Sequence, residues 1–364
     1  MSLPPLPLTE GCLVLDNSAI ETFQTCSRAF EYSRLAKRVS VGSRPALDFG
    51  SAIHLALEWR YKRLGNDSPT MIDEDEQAQV IARYFDEHPC PDDDFRNAQF
   101  AVDMMKRYNS RYQIEPFNIM RFDEPQTCGH CEGLGRRVSK GVDLSTMSPA
   151  QTEPCTFCNG TGKNSNMVEL SFLLPLFTCG DIPVLYSGKI DLPVLLDDQL
   201  IIIDHKTTSM LGEQFFDELR MSAQPLGYCW AMQTIHPEKQ VGGFMINAIR
   251  TKDIPQYVRD GKARGGLTPD KWWEEAMQRD VTYLRPGQLD EWHANVIALV
   301  EEMMWNYQRG YMPLKTKWCV GKYGKCPYFQ VCSLPPEQRN ILLQSDLYQE
   351  NTWSPLTQPS QPKS

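Results

Sequence analysis

The stretch from Tyr186 to Thr208, Y-S-G-K-I-D-L-P-V-L-L-D-D-Q-L-I-I-I-D-H-K-T-T, constrains the fold more than any other part of the chain. Two apolar runs rich in β-branched residues, Ile190 to Leu196 and Leu200 to Ile203, flank a polar turn of Asp197, Asp198 and Gln199. That pattern predicts an antiparallel hairpin. Successive strand residues face opposite sides, so Asp204 and Lys206 share one face while Ile203 and His205 take the other. A carboxylate buried without compensation is costly, so Asp191 and Asp204 at the ends of such strands call for a counter-ion. A divalent metal held by carboxylate oxygens supplies one. The competing explanation is an ordinary ion pair where a strand surfaces; the turn, the paired acids and the lysine two residues on together favour the metal.

The rest of the chain gives this hairpin its setting. With 364 residues, 41% of them hydrophobic, the chain can bury the core of one elaborated domain or two. Its net charge of −9 argues against non-specific nucleic-acid binding. The distribution is uneven, however: Cys26 to Leu64 carries eight Lys or Arg against three acids, and Asn66 to Phe95 ten acids against one Arg. A local basic binding face is compatible with that segregation, as are two solvated helical faces. Met1 to Gly11 is proline-rich without a basic start, and no apolar run approaches the ~20 residues of a membrane span. The expectation is a cytoplasmic protein of a bacterium, or of its host's cytoplasm if phage-encoded, without a membrane partner. Twelve cysteines in such a compartment point to metal ligands rather than disulfides.

Along the chain, Asp16 to Lys37 reads as a helix with Asn17 or Ser18 as N-cap and Cys26 inside it. Gly50 to Leu64 reads as a second amphipathic helix. His54 and Glu58, four apart, share one of its faces and either line a site or satisfy each other. Asp75 to Glu87 and Asp94 to Gln113 read as helices packed on the core. Met167 to Phe177 alternates as a strand that presents Glu169 on its polar side. Glu169, Asp191 and Asp204 then form a three-acid cluster beside Lys206, a set suited to phosphodiester hydrolysis. The acids hold Mg²⁺ or Mn²⁺, the metal lowers the pKa of a bound water, and the lysine orients that water or balances charge on phosphorus.

After the hairpin, Glu213 to Thr234 reads as a helix with Gln224 and Tyr228 on one face, Val241 to Ile249 as a strand, and Pro269 to Arg279 and Gln288 to Tyr307 as helices. Between them the glycine-rich loop Gly261 to Gly266, with Arg259, Lys262 and Arg264, is compatible with phosphate contacts.

Two cysteine sets stand apart from this chemistry. Cys128-Gly-His-Cys131-Glu-Gly133-Leu-Gly135 and Cys155-Thr-Phe-Cys158-Asn-Gly160-Thr-Gly162 are two copies of C-x-x-C-x-G-x-G. Their four thiolates suffice for a closed tetrahedral Zn²⁺ site, with His130 a spare ligand. The repeat resembles the zinc-binding region of DnaJ-type chaperones over some 35 residues, but those carry four copies and an H-P-D tripeptide that this chain lacks. The segment therefore reads as an inserted zinc module. At the far end, Cys319, Cys326 and Cys332 are spaced C-x6-C-x5-C among Lys315, Lys317, Lys322 and Lys325. Cys26 is the natural fourth ligand for a 4Fe-4S cluster, with zinc in the same thiolates as the alternative.

Taken together, G-K-I-D-L, I-I-I-D-H-K-T and Gln224-x-x-x-Tyr228 resemble the RecB-like branch of the PD-(D/E)XK nuclease superfamily. The lone early cysteine with a three-cysteine C-terminal cluster is similar to the iron-staple nucleases, the AddB nuclease domain and the CRISPR-adaptation exonucleases. The resemblance covers residues 16 to 64, 167 to 250 and 315 to 332. It implies a restriction-endonuclease-like α/β fold, a mixed sheet flanked by helices. It further implies that Asp191 and Asp204 bind Mg²⁺ or Mn²⁺, that Lys206 activates or positions water, and that His54 assists at the metal. Gln224 and Tyr228 would fix substrate, and Glu169 is carried over from its place before the hairpin.

The organisation expected is a helical part (1–121) with Cys26 and His54, a zinc insertion (122–166) and a nuclease core (167–250). A helical part with the iron-sulfur cysteines (251–340) and a disordered tail (341–364) complete it. The function expected is a metal-dependent DNA exonuclease acting on single strands or ends in recombination, repair or replication. No G-x-x-x-x-G-K-[ST] is present, so unwinding falls to a partner helicase, alongside a recombinase or replication protein. The alternative is a non-catalytic DNA-binding scaffold, against which the intact acid-acid-lysine set speaks.

Overall fold

A computed structural model describes residues 3–351, apart from 43–44, 65–71, 129, 132, 135, 139–151, 156, 159, 266–267 and 322–323. Its centre is a five-stranded mixed sheet in the order Met277–Tyr283, Val241–Arg250, Gln199–Thr208, Leu192–Leu196, Asn118–Ile119. The predicted hairpin is its middle: Leu192–Leu196 pairs antiparallel with Gln199–Thr208, from Leu192 opposite Ile203 to Leu196 opposite Gln199. The turn is tighter than expected, two residues rather than three. Asp197 and Asp198 both have positive φ (49° and 62°), the backbone twist that two-residue hairpins require.

The strand Gln199–Thr208 then runs parallel to Val241–Arg250, and the crossover between them carries the helices Glu213–Arg220 and Ala223–Ile235. One helix was expected over that crossover; the chain breaks it at Met221, and Ser222 caps the second piece by accepting from the Gln224 amide.

Alternation along the central strand feeds two cores. Leu200 and Ile202 point into a cluster with Tyr186, Tyr228 and Met232 of Ala223–Ile235 and Trp292 of the helix Gln288–Gln308. Ile201 and Ile203 point the other way, into a cluster with Phe49, Ile53 and Leu57 of the helix Pro45–Leu64 and with the helices Glu74–Glu87 and Ala98–Arg111. Helices on both faces of a mixed sheet are what such two-sided burial demands.

A second, four-stranded sheet is ordered Leu8–Thr9, Cys12–Leu15, Ile182–Ile190, Leu170–Cys179. The chain passes from it into the five-stranded sheet at Asp191, a single bend residue between Ile190 and Leu192.

Four expectations change. The helix read over Asp16 to Lys37 is interrupted at Cys26, whose backbone is extended (φ −160°, ψ 110°); a first helix, Asn17–Thr25, is capped by Asp16. The helix read over Pro269 to Arg279 ends at Ala276, and Met277–Tyr283 is an edge strand pairing antiparallel with Val241–Arg250. Glu169 is not inside a strand but in the turn before Leu170. The tail expected to be disordered from 341 forms, as far as 351, the end of a helix, Pro336–Leu343, and a strand, Tyr348–Glu350, paired with Arg38–Ser40; 352–364 lie outside the described residues. Among the described residues no helix is long and apolar enough to cross a membrane.

Candidate active site

Three elements converge at the bend between the two sheets. Asp191 occupies the bend, 8% exposed, and its Oδ2 accepts from the His205 amide at 2.8 Å. The helix Pro45–Leu64 brings His54, whose Nδ1 lies 3.6 Å from the same oxygen. Gly50 lets that helix approach: a Cβ there would sit 2.8 Å from Thr207 Oγ1 of the central strand.

Glu169 enters from the turn with a positive φ of 58°, a strained conformation for a non-glycine residue. Its amide donates to the Asp191 carbonyl at 2.9 Å, and its carboxylate is ion-paired with Lys189. Ligand atoms of His54, Glu169 and Asp191 all lie within 4.8 Å of one another, close enough to share one ion. The sequence-derived metal set was His54, Asp191 and Asp204; the structure brings Glu169 into the close group and leaves Asp204 beside it.

Asp204 is 1% exposed and belongs to a different partnership. Lys206 Nζ lies 2.8 Å from its Oδ1 and 2.7 Å from its Oδ2, as two residues on one strand face should. The same ammonium donates to Gln224 Oε1 at 3.0 Å, and Gln224 Nε2 donates to Tyr228 Oη at 3.0 Å. Gln224 and Tyr228, expected to touch substrate, thus also hold the lysine. Across the strand, His205 Nδ1 accepts from Asn247 Nδ2 at 2.8 Å and its ring stacks on Tyr61, 6.0 Å from the ring of His54.

The electrostatics fit a cation-binding site. Burial, with Glu169 and Asp204 as negative neighbours, pushes Asp191 well above the usual carboxylate range. Burial also raises Glu169, against the pull of Lys189. A divalent cation would relieve all three causes at once. Burial and the nearby Lys206 and Lys189 push His54 down to about 3, so it is a neutral imidazole with a lone pair to offer. Lys206 is the converse: burial opposes its charge, but Asp204 and Asp191 outweigh that and hold it protonated. Such a lysine is a donor and a charge, not a base.

Two residues escaped the sequence reading. Lys189 is the cation that fixes Glu169, and its place two residues before Asp191 was the available signal. Glu21, on Asn17–Thr25, has Lys206 as its main positive neighbour and no local signature. Of the loop cations, Arg259 is bound to Asp253 and Lys262 lies 4.0 Å from Asp260. Lys322 lies outside the described residues.

The two cysteine sets differ in geometry. Sulfurs of Cys128, Cys131, Cys155 and Cys158 form a buried group within 4.8 Å, with Cys131 and Cys158 Sγ 3.7 Å apart. Four thiolates at about 2.3 Å from one tetrahedral zinc are spaced by about 3.8 Å. The knuckle glycines behave as their positions suggest: Gly133, Gly160 and Gly162 have positive φ, and the Gly162 amide points at Cys158 Sγ at 3.3 Å. The paired strands Arg121–Thr127 and Lys163–Asn166 form the stem of this insertion.

Cys26, Cys319, Cys326 and Cys332 make no such tight group among the described residues, yet they are neighbours. Burial raises the Cys326 thiol, with Cys26 and Cys319 adding to it, and burial, with Cys26 and Cys326, raises Cys332 to about 11. Arg28 and Arg339 supply positive charge to Cys332, and Tyr328, Val331, Leu343 and Tyr348 pack apolar surface against Cys326 and Cys332.

A search of curated proteins returns no match. The family model described as the PD-(D/E)XK nuclease superfamily matches residues 17–333, which takes in the bend, the central strand and both cysteine sets. The mixed sheets flanked by helices are the restriction-endonuclease-like arrangement of that family. The chain belongs to the PD-(D/E)XK nuclease superfamily.

Proposed function

We propose that the protein is a Mg²⁺- or Mn²⁺-dependent DNA exonuclease of the RecB-like, iron-staple type, acting on single strands or DNA ends in recombination, repair or replication. The observation that carries this is the convergence of His54, Glu169 and Asp191 within 4.8 Å, one bend away from a protonated lysine held by Asp204. When bound there, the divalent metal supplies Lewis acidity and an activated water.

The residues do the rest. Asp191 and Glu169 would hold the cation through their carboxylate oxygens, and neutral His54 would offer its lone pair. Lys206, fixed by Asp204 and Gln224, directs its remaining N–H toward the phosphate, where it offsets the charge that grows in the transition state. Tyr228 keeps its proton, since burial and the acids Asp204 and Asp191 raise its pKa well above the usual range, and it can hydrogen-bond substrate as a neutral group.

In this reading Cys128, Cys131, Cys155 and Cys158 hold a structural Zn²⁺, and Cys26, Cys319, Cys326 and Cys332 a 4Fe-4S cluster that staples the first helix to the C-terminal part. A helicase or recombinase would present the strand.

The test is digestion of 5′- and 3′-end-labelled single- and double-stranded DNA with Mn²⁺ or Mg²⁺. Asp191→Ala or Lys206→Ala should lower the rate by about 10²-fold or more. Equal activity in wild type and in a chain carrying both substitutions would end the enzyme reading.

A further inference from the structure

The zinc insertion is not a separate appendage: it is fastened to the helix that carries His54. One turn after His54, Glu58 points toward the insertion, 8% exposed. Its Oε1 takes a hydrogen bond from His130 Nε2 at 2.6 Å and is ion-paired with Lys62. His130 lies between zinc ligands of the first knuckle, and its ring stacks at 3.6 Å and 8° on Phe157, the residue at the same place in the second knuckle. Lys62 Nζ sits 5.6 Å from the Phe157 ring, and buried Trp59 shares an apolar cluster with all four cysteines. Asn166, on the stem, donates to the Lys62 carbonyl at 3.0 Å.

On its other side Glu58 belongs to the same helix, Pro45–Leu64, as His54, four residues on, so what fixes Glu58 also fixes the turn that presents His54. His130, Lys62 and the stem's Asn166 together tie that turn to the insertion. Lys189, paired with Glu169, has Glu58 as a further negative neighbour, so the clamp lies beside the charges of the metal centre.

We propose that the zinc module is a positioning element for the candidate metal centre. Its His130 clamps Glu58, so that the turn of helix that carries His54 is held with its imidazole beside Asp191. The inference rests on His54, Glu169 and Asp191 being a divalent-metal site, as the nuclease reading holds. His130 and Glu58 are positioning residues that touch neither metal nor substrate. Partners of metal ligands of this kind typically alter metal affinity by about 10–100-fold.

The experiment compares full-length, zinc-loaded wild type, His130→Ala, His130→Gln and Glu58→Gln. Zinc is counted by elemental analysis, Mn²⁺ affinity is read from the free-Mn²⁺ electron paramagnetic resonance signal, and kcat and KM for DNA are measured separately. With zinc retained, His130→Ala and Glu58→Gln should each weaken Mn²⁺ binding about tenfold, and together no more than either alone. KM for DNA should stay put. His130→Gln, which keeps an N–H donor for Glu58, should recover most of the affinity. Stripping zinc from wild type before Mn²⁺ is added should reproduce the loss, and stripping His130→Ala should add nothing.

Unchanged Mn²⁺ affinity in zinc-loaded His130→Ala overturns the proposal, as does a His130→Gln no better than alanine. If His130→Ala sheds its zinc or fails to fold, Glu58→Gln decides alone, and unchanged affinity there overturns the proposal equally. The Mn²⁺ measurement needs no DNA. A wild type that bound Mn²⁺ but spared DNA would overturn the nuclease reading and not this one; a wild type that cut DNA with both variants unimpaired in Mn²⁺ binding would do the reverse.

Discussion

Replacing Asp191 by asparagine should make the protein more stable and useless as a metal site. Asparagine keeps an acceptor for the His205 amide but removes a charge that burial, Glu169 and Asp204 all oppose. Carboxylate oxygens within 4.8 Å repel by about 3.5 kcal/mol at an effective dielectric constant near 20. Exchanging a charged acceptor for a neutral one at His205 takes back about 1 kcal/mol, and the lost attraction to Lys206 some more, leaving a gain of about 2 kcal/mol. With an unfolding entropy of about 2.1 cal/mol/K per residue over a chain of this size, that is a rise of about 3 °C in Tm. The assay is thermal melting near pH 8, without and with Mn²⁺ at ~100 times its Kd. Under that load wild type should gain about 2.7 kcal/mol, or about 4 °C, and Asp191→Asn nothing, so the order of the two midpoints reverses on adding metal. A metal-free variant that melts below wild type, or one that gains as much from Mn²⁺, would refute the account of Asp191 as a charge held in readiness.

Two further outcomes follow from the charges and the thiols. Asp191 and Glu169 have folded pKa values raised above their unfolded ones. The stability they lend is present while both are protonated and is lost as pH rises from the ordinary carboxylate range near 4 through the raised values. Glu58 runs the other way: burial opposes its charge, but Lys62 and His130 outweigh it and hold the carboxyl well below the usual range. Its contribution is present at neutral pH and lost on acidification. Mn²⁺ binding should therefore release more protons as the pH is lowered below neutrality, read by calorimetry in two buffers of different ionisation heat; a release that does not grow on acidification would contradict the raised pair. Separately, Cys326→Ser should remove iron and its brown colour but keep zinc, and Cys128→Ser should do the opposite, both counted by elemental analysis; a shared loss would mean that the two cysteine sets are not independent sites.

The parts of this molecule that could be read in the sequence are those set by near neighbours in the chain. The hairpin, the shared face of Asp204 and Lys206, the pairing of Gln224 with Tyr228 and the knuckle turns all follow from periods of two to four residues. The misreadings are where a distant partner decides. Met277–Tyr283 continues a helix-like pattern from Trp272 and Ala276, and only the exposed edge of Val241–Arg250 makes it a strand. Tyr348–Glu350 sits in a polar stretch and is ordered by Arg38–Ser40 and by the stacking of Tyr348 on Tyr328. Glu169 alternates like a strand residue, yet its positive φ places it in the metal group, because its amide is claimed by Asp191. The contact from His130 to Glu58 spans 72 positions and has no local trace at all.

The two-residue turn at Asp197 and Asp198 carries a responsibility beyond closing the hairpin. Both faces of the central strand are apolar where it is deepest, and Ile201, Ile202 and Ile203 are identical, so a slip of one residue would leave both cores filled by the same side chain. Hydrophobic burial is therefore nearly blind to register in this strand, and the turn has to set it. A slipped molecule would still be compact and would melt respectably, but Asp204 and Lys206 would have traded sides with His205 and Thr207. Its preparations would hold folded, soluble, catalytically silent protein, and the specific activity of a batch, rather than its melting temperature, would report how faithfully two aspartates had counted.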